Sequence, residues 1–335
     1  MKKASGEDAL IEHMERAFPV GRSQRSRHRQ RTMPPCSGRG PLLLGPGDDA
    51  AVLRTRPGYR LIATVDEMCE GAHFLDRFST PELIAGKLLR MNLSDLAAMG
   101  DARPLALLTA AGLPRSASGA WARRFIKALR AEARRFRVAV AGGNISRSSD
   151  KHFAMTLLGE CRGFVTRYGA RPGDLVYSLG PLGLARAGLE LLMSGAARGK
   201  WGELIEAFWR PRPMLAEGAL IGRRGLASAM LDNSDGLYRS LGIIARLSGC
   251  RVRAALPGGA CSPVLRRWAA SRKKDWRLYA LAGGEDYGLV FCCRATRAAL
   301  VGRLLPGAVL VGETAKGRGV EVEGYGGEIP VFEHF

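Results

Sequence analysis

Met230-Leu231-Asp232-Asn233-Ser234-Asp235-Gly236-Leu237 passes from a short apolar run into a turn that carries two carboxylates. Apolar residues then recur at helical spacing as far as Leu247, so the stretch predicts a strand, a turn and a helix in succession. In such a turn the three-residue spacing of Asp232 and Asp235 can place both carboxylates beside one cation, while the Ser234 hydroxyl can donate to a phosphate. The stretch therefore predicts an α/β fold with a cation and phosphate site where the strand ends.

Four further acidic motifs are spread along the chain. They are Gly47-Asp48-Asp49-Ala50-Ala51, Thr64-Val65-Asp66, Asn92-Leu93-Ser94-Asp95 and Gly283-Gly284-Glu285-Asp286-Tyr287. Each alone is most simply a turn or a strand end, because Asp readily caps the local backbone. Five together, in a chain with 51 Lys plus Arg against 31 Asp plus Glu, favour hard cations, since Mg²⁺ prefers carboxylate and hydroxyl oxygens and binds beside substrate phosphates. The pattern predicts a magnesium-dependent enzyme acting on phosphates.

Length and composition limit the remaining possibilities. The chain has 335 residues, of which 46% are hydrophobic, so we expect two domains of roughly 150 residues each. The apolar runs are too short for a membrane helix, and the N-terminus turns acidic before any apolar core, which predicts a cytoplasmic protein. Seven cysteines without CxxC spacing predict reduced, mainly buried thiols.

The net charge of +20 raises a second hypothesis, that of a nucleic-acid-binding protein. The basic residues are mostly dispersed, and only the segment 21–40 is rich in arginine. That composition favours a mobile insertion, because it offers little apolar surface to bury. An arm that attracts polyanions, or a cover over an anionic substrate, stays open as the alternative.

Helix and strand signals alternate along the chain. Thr80-Pro81-Glu82 predicts a helix start, and the helix brings Asn92 to Asp95 to its far end. Further helices are expected at 116–136, 182–193, 214–224 and from Leu237, with strands at 138–140, 153–158, 174–179, 230–231, 289–293 and 309–312. The pattern predicts two α/β domains with a boundary between Cys161 and Arg171. The sequence has no GxxxxGK[ST] loop and no kinase His-Arg-Asp loop, so metal bridges, glycine-rich backbone and scattered Arg must hold the phosphates.

From Gly45 to the C-terminus, the motifs together resemble one family. They are Gly47-Asp48-Asp49-Ala50, Thr64-Val65-Asp66 with Glu70-Gly71-Ala72-His73-Phe74, the run Asn92 to Gly100, Ala141-Gly142-Gly143, Arg167 to Asp174, Ser234-Asp235-Gly236-Leu237, Gly283-Gly284-Glu285-Asp286-Tyr287 and Glu333-His334-Phe335. The chain is similar to the thiamine-monophosphate kinase family, whose superfamily includes aminoimidazole ribonucleotide synthase and selenophosphate synthase.

The resemblance implies an α/β (α+β type), two-domain aminoimidazole ribonucleotide synthase-like fold. Residues 1–44 would be an N-terminal helix and basic flexible insertion, 45–163 an ATP- and Mg-binding dimerisation domain with a mixed, barrel-forming sheet, and 164–335 a C-terminal α/β domain. The implied activity is ATP-dependent phosphorylation of thiamine monophosphate to thiamine diphosphate, in a homodimer that uses several Mg²⁺ ions. Because the acceptor phosphate is already anionic, direct in-line attack needs no strong base, and positioning and charge neutralisation supply the catalysis.

The resemblance also implies roles for individual residues. The metal ligands would be Asp48, Asp49, Thr64, Val65 (through its backbone), Asp66, Asp95, Asn144, Asp232 and Asp235, with Asp95 and Asp235 the catalytic pair. Gly143, Asn144, Arg167 and Ser234 would bind ATP, and His73, Glu285 and Phe335 would bind the thiamine substrate. From the residues alone, simple packing of His73 is as good an interpretation. Asn144 stands where the family usually has Asp, which predicts a weaker cation site.

Two alternatives stay open at this stage. A relative with the same fold could phosphorylate another acceptor. A weakly active or non-catalytic descendant that binds polyanions would account for the net charge and for Asn144.

Overall fold

The computed structural model describes residues 41–44, 52–117, 119–195, 199–326 and 328–330. Contacts between residues divide the chain into two units. The first unit comprises Met1–Asn92 and Arg103–Cys161, and the second comprises Leu93–Ala102 and Arg162–Phe335. The arginine-rich segment, Asp48, Asp49 and Phe335 all lie outside the described residues.

The first unit contains a four-stranded sheet. Its elements are the strands β1 (Leu42–Leu44), β2 (Val52–Leu53), β3 (Arg60–Cys69), β4 (Ala102–Leu113), β5 (Ala139–Arg147) and β6 (His152–Cys161), and the helices α1 (Pro81–Ala98) and α2 (Gly119–Arg135). The strand order of the sheet is β3-β6-β4-β5, and β1 pairs with β2 separately. Strands β3 and β6 are antiparallel, whereas β4 and β5 are parallel.

Helix α2 covers one face of this sheet because its apolar residues recur at helical spacing. Phe125 stacks on Phe153 of β6, with ring centroids 4.8 Å apart. On the outward-facing positions of β3, Leu61 and Val65 are 56% and 63% exposed, although both are large apolar residues. One row of the sheet therefore presents apolar side chains to the surface.

The second unit is built on a six-stranded mixed sheet. Its strands are β7 (Asp174–Leu179), β8 (Ala229–Asn233), β9 (Arg251–Ala254), β10 (Gly288–Arg294), β11 (Ala308–Ala315) and β12 (Gly319–Val322), in the order β12-β9-β11-β7-β10-β8. Its helices are α3 (Leu184–Met193), α4 (Gly202–Trp209), α5 (Leu215–Arg224), α6 (Leu237–Ser248), α7 (Pro263–Ser271), α8 (Trp276–Ala282) and α9 (Ala298–Leu304). Neighbouring strands are antiparallel except β9 and β12.

Both faces of this sheet are buried. Val290 and Cys292 of β10 belong to one apolar cluster, and Leu289 and Phe291 belong to another. The alternation follows from the two-residue period of a strand. The mixed helices and sheets in two units confirm the predicted α/β (α+β) fold class, and the predicted helices from Pro81 and Leu237 are present.

The segment Leu93–Ala102, which includes the end of α1, packs inside the second unit against α5. A Cβ atom on Gly218 would lie 2.1 Å from the carbonyl oxygen of Ala97, and one on Gly222 would lie 2.4 Å from the amide nitrogen of Asp101. Real Cβ atoms do not approach backbone this closely, so both positions require glycine. This close approach sets the position of the end of α1 in the second unit.

Across the parts of the chain that the structure describes, no helix is both long and apolar enough to span a bilayer. The described cysteines are free, and all but Cys69 are buried. The prediction of reduced, mainly buried thiols is therefore confirmed for these residues.

Candidate active site

Asp232 is the centre of an acidic cluster in the second unit. It lies near the end of β8 and is only 4% exposed. The Ser94 hydroxyl donates to Asp232 Oδ2 at 3.1 Å, and the Ser234 hydroxyl donates to Oδ1 at 3.3 Å. Two hydroxyls thus hold this carboxylate in one orientation, one from the end of α1 and one from the turn before α6.

The pKa of Asp232 is raised to about 7, mainly by burial and in addition by the neighbouring charges of Asp95 and Asp235. The hydrogen bond from Ser94 and the positive charge of Arg167 act in the opposite direction. A buried carboxylate with two acidic neighbours is costly unless a cation compensates it. A carboxylate whose pKa is shifted by burial and by neighbouring charges is typical of functional sites.

Asp235 lies beside this carboxylate in the turn between β8 and α6. It is half-buried and forms an ion pair with Arg239 one helical turn later, at 3.1 Å. Arg167 is exposed, yet its charge favours ionised Asp232. The structure therefore brings together five predicted site residues: Asp95, Arg167, Asp232, Ser234 and Asp235.

The glycine-rich acidic loop before β10 lies against the same turn. The Glu285 amide donates to the Ser234 carbonyl at 2.6 Å, and the Tyr287 amide donates to the Asn233 carbonyl at 3.1 Å. Glu285 and Tyr287 have φ angles of 68° and 52°, a region that non-glycine residues seldom occupy. Such backbone strain clusters at functional sites, and it places Glu285 next to the acidic turn.

Asp286, between these two residues, binds the backbone at the start of helix α3. Its carboxylate is 1% exposed and accepts hydrogen bonds from the amides of Gly183 and Ala185 at the start of α3. Burial is the main cause of a pKa raised to about 7, although those backbone donors oppose the shift. Neither Ser94 nor Asp286 was among the predicted site residues. The available signal was a hydroxyl directly before Asp95 and a second acid directly after Glu285.

The oxygen-rich side chains of this cluster fit magnesium, the ion that the resemblance implies for Asp95, Asp232 and Asp235. Carboxylate and hydroxyl oxygens are the ligands that Mg²⁺ takes, and a divalent ion would offset the repulsion around Asp232. Among the described residues, no group of three or more His, Cys, Asp or Glu is arranged so that it could hold a metal ion. The carboxylates interact electrostatically without converging on one position, so their role as ligands stays a prediction.

Five predicted residues of the first unit lie on two different strands. Thr64 and Asp66 are on one face of β3, whereas the Val65 side chain points to the opposite, exposed face. Gly143 and Asn144 are on β5, where they pair with Thr109 and Ala110 of β4. Two strands separate β3 from β5, which is about 14 Å at the usual strand spacing. Asp66 and Asn144 therefore lie on different, non-adjacent strands of this sheet, and their roles as ligands stay a prediction.

His73 lies in the turn after β3 and is half-buried. Its Nδ1 accepts a hydrogen bond from the Cys69 amide at 3.1 Å, and its own amide donates to the Cys69 carbonyl at 2.9 Å. One ring nitrogen thus has a structural role in the turn. Substrate contact through the other nitrogen stays a prediction.

Comparisons with known proteins agree with this fold. Residues 47–163 match the AIR synthase related protein, N-terminal domain, and residues 171–324 match the AIR synthase related protein, C-terminal domain. The two matches define the class as AIR synthase related proteins.

Individual relatives narrow the class. Thiamine-monophosphate kinase of Caulobacter vibrioides is 34% identical over 89% of this chain and 84% of its own length. The crystal structure of thiamine-monophosphate kinase from Stenotrophomonas maltophilia K279a has a TM-score of 0.76 and 33% identity, covering 85% of this chain and 92% of that one. A structure of AaThiL complexed with AMPPCP and TMP has a TM-score of 0.75 and 32% identity, covering 86% and 91%. The chain belongs to the thiamine-monophosphate kinase family, as its motifs predicted.

Proposed function

We propose that this protein transfers the γ-phosphate of ATP to thiamine monophosphate and so forms thiamine diphosphate and ADP. Membership of the family supports this activity, and so does the related AaThiL structure, which holds AMPPCP and TMP. The observation that carries the proposal is the buried carboxylate of Asp232, held by Ser94 and flanked by the charges of Asp95 and Asp235. Such a cluster is suited to divalent cations and, through them, to polyphosphate.

The proposed magnesium ligands are Asp95, Asp232 and Asp235 in the second unit, with Asp48, Asp49, Thr64, the Val65 backbone, Asp66 and Asn144 in the first. Held by these residues, Mg²⁺ would supply positive charge that neutralises the phosphates. Ser94 and Ser234 orient the Asp232 carboxylate. Gly143, Asn144, Arg167 and Ser234 contact ATP, and Arg167 adds positive charge where the transferred phosphate develops negative charge.

In the reaction, a terminal phosphate oxygen of thiamine monophosphate forms a bond to the γ-phosphorus while the bond from that phosphorus to the bridging oxygen of ADP breaks. The attacking oxygen is already ionised at neutral pH, so no side chain has to remove a proton. Residues of the chain therefore act by positioning the two phosphates in line. We assign His73, Glu285 and Phe335 to the thiamine substrate.

A homodimer is part of the proposal. Leu61 and Val65 form an apolar row on the outer face of β3, and apolar surface of this kind is typical of protein interfaces. Pairing of two first units would bury that row. We also propose a cytoplasmic location, because the described cysteines are free thiols, as expected in a reducing compartment.

The proposal is tested by an ATP-consumption assay with Mg²⁺ and three acceptors side by side: thiamine monophosphate, thiamine and an aminoimidazole precursor. Of the three acceptors, we expect only thiamine monophosphate to be phosphorylated. ADP and thiamine diphosphate should then form in equal amounts. Turnover of either other acceptor at a comparable rate would refute the proposed substrate.

A further inference from the structure

The second unit has a cavity that the proposed function does not use. Its volume is about 490 Å³, and its lining includes three arginines, Arg171, Arg294 and Arg297, together with Ser228 and Thr296. This volume lies within the range of small-molecule sites. All three arginines are exposed at the rim, so their guanidinium groups are accessible to a ligand.

The topology of the sheet places this cavity away from the acidic cluster. Ser228 comes directly before β8, and Asp232 is near the other end of that strand. Four residues of extended chain separate them by about 13 Å. Arg294 ends β10, which is antiparallel to β8, and it pairs with Asp174 at the start of β7. The basic cavity therefore lies at one end of strands β8 and β10, and the acidic site lies at the opposite end.

The charges at the cavity favour an anion. Among the described residues, none of the three arginines forms an ion pair with a carboxylate, although Arg297 Nη1 donates to the Arg224 carbonyl at 3.4 Å. Asp174, which pairs with Arg294 in the sheet, is buried, and its Oδ2 accepts from the Arg171 amide at 3.0 Å and from the Ser228 hydroxyl at 2.6 Å. Within the described residues, the three exposed guanidinium groups therefore carry positive charge that no direct ion pair neutralises.

Two glycines at the cavity leave its wall open. Gly169 and Gly225 have φ angles of 115° and 57° and contribute backbone without side chains. A Cβ on Gly169 would lie 2.6 Å from the Ser228 carbonyl, so glycine is required for this turn to close. Planar guanidinium groups bind phosphate oxygens in a bidentate manner. Three of them match the charge of a diphosphate better than that of a monophosphate.

We propose that this cavity is a metal-independent binding site for the diphosphate group of a small molecule. Arg171, Arg294 and Arg297 contact the phosphate oxygens, and the remaining volume admits the rest of the ligand. The site is independent of the proposed phosphoryl transfer, because it lies at the other end of strands β8 and β10 and uses arginines instead of carboxylates.

Isothermal titration of inorganic pyrophosphate into the full chain in EDTA tests this proposal. Without divalent cations, the carboxylates of the acidic cluster repel pyrophosphate, so binding reports on the basic cavity. We expect saturable binding that weakens with added salt and that is at least about tenfold weaker in the double variant Arg171→Gln/Arg294→Gln. The control Arg303→Gln/Arg318→Gln removes the same charge at exposed positions elsewhere and should bind as the unchanged protein does.

Competition then separates the possible sources of the group. Thiamine diphosphate or ADP that displaces pyrophosphate from the unchanged protein identifies an organic diphosphate, and failure of both identifies pyrophosphate itself. The proposal is overturned by absence of binding in EDTA, by equal weakening in the control variant, or by a short RNA that binds more tightly than every diphosphate and is itself weakened by Arg171→Gln/Arg294→Gln. Circular dichroism of both variants establishes that they are folded.

Discussion

At the scale of single residues, the account depends on the orientation of one buried carboxylate. Ser94 is fully buried and donates to Asp232 Oδ2 at 3.1 Å. Residues that orient a metal ligand typically contribute 10- to 100-fold to metal affinity. We expect Ser94→Ala to raise the Mg²⁺ concentration for half-maximal activity about tenfold. Ser94→Thr keeps the hydroxyl, so its Mg²⁺ requirement should equal that of the unchanged protein.

This prediction is checked by magnesium titrations of the initial rate at saturating ATP and thiamine monophosphate. Ser271→Ala serves as the control, because Ser271 Oγ only donates to the Trp268 carbonyl at the end of α7. An unchanged magnesium requirement in Ser94→Ala would show that Asp232 needs no such support.

Asp286 makes stability depend on pH. Its pKa is raised by burial to about 7, from an ordinary value of 3.8, so the folded state binds this proton more tightly than the unfolded state. The resulting stabilisation is complete below pH 3.8 and is lost as the pH rises through about 7. We expect the free energy of unfolding to fall between pH 5 and pH 8 by about 1 to 4 kcal/mol more than in Asp286→Asn, which cannot titrate.

Urea denaturation at the two pH values measures this difference. Asp232 titrates in both proteins, so its contribution cancels. Asp286→Asn should be less stable than the unchanged protein, because an amide has one acceptor oxygen whereas both carboxyl oxygens of Asp286 accept, one from Gly183 and one from Ala185. The same pH dependence in both proteins would mean that Asp286 is ionised throughout.

At the scale of elements, the contact between α5 and the end of α1 positions the acidic cluster. We expect Gly218→Ala to destabilise the protein by about 2 kcal/mol and to reduce turnover, because its Cβ would lie 2.1 Å from the Ala97 carbonyl oxygen and would displace Asp95. Gly242→Ala in α6 is the matched control, since no atom lies within 4 Å of its Cβ. That change should be neutral or stabilising by up to about 1 kcal/mol.

Thermal unfolding and turnover are measured for both variants. If Gly218→Ala is as stable and as active as Gly242→Ala, then the close packing does not position Asp95.

Many of the helices and strands could be predicted from local signals. The cap at Thr80-Pro81 and the apolar spacing after Leu237 correctly indicated α1 and α6, because both signals act within a few residues. The packing of Leu93–Ala102 in the second unit could not be predicted. It depends on Gly218 and Gly222, which are more than one hundred residues away, and a glycine in a sequence does not reveal which backbone approaches it.

At the scale of the whole molecule, the account predicts pairing through the first unit. Leu61→Asp places a charge in the apolar row of β3 and should shift the protein from dimer to monomer, because burying an unpaired carboxylate is unfavourable. Leu310→Asp is the control, as Leu310 is an exposed apolar residue of the second unit. Sedimentation velocity measures both, and a dimer that persists in Leu61→Asp would place the interface elsewhere.

Part of the candidate site could be predicted from the sequence. Asp95, Asp232 and Asp235 come together although more than 130 residues separate the first from the others, and the acidic motifs and the family resemblance indicated that convergence. Asp66 and Asn144 carry the same motif signal, yet they lie on different strands of one sheet. A motif gives the chemistry of a residue, whereas sheet order decides which residues meet.

Turnover of Asp235→Asn tests whether the acidic cluster carries the phosphoryl transfer. Steady-state rates with ATP, Mg²⁺ and thiamine monophosphate are compared with those of the unchanged protein and of Asp150→Asn, an exposed control in the first unit. The account predicts that Asp235→Asn lowers turnover at least about 100-fold, which corresponds to roughly 2.7 kcal/mol of transition-state stabilisation, while it stays folded and Asp150→Asn stays active. Near-normal turnover in Asp235→Asn would contradict the claim that these carboxylates carry the phosphoryl transfer.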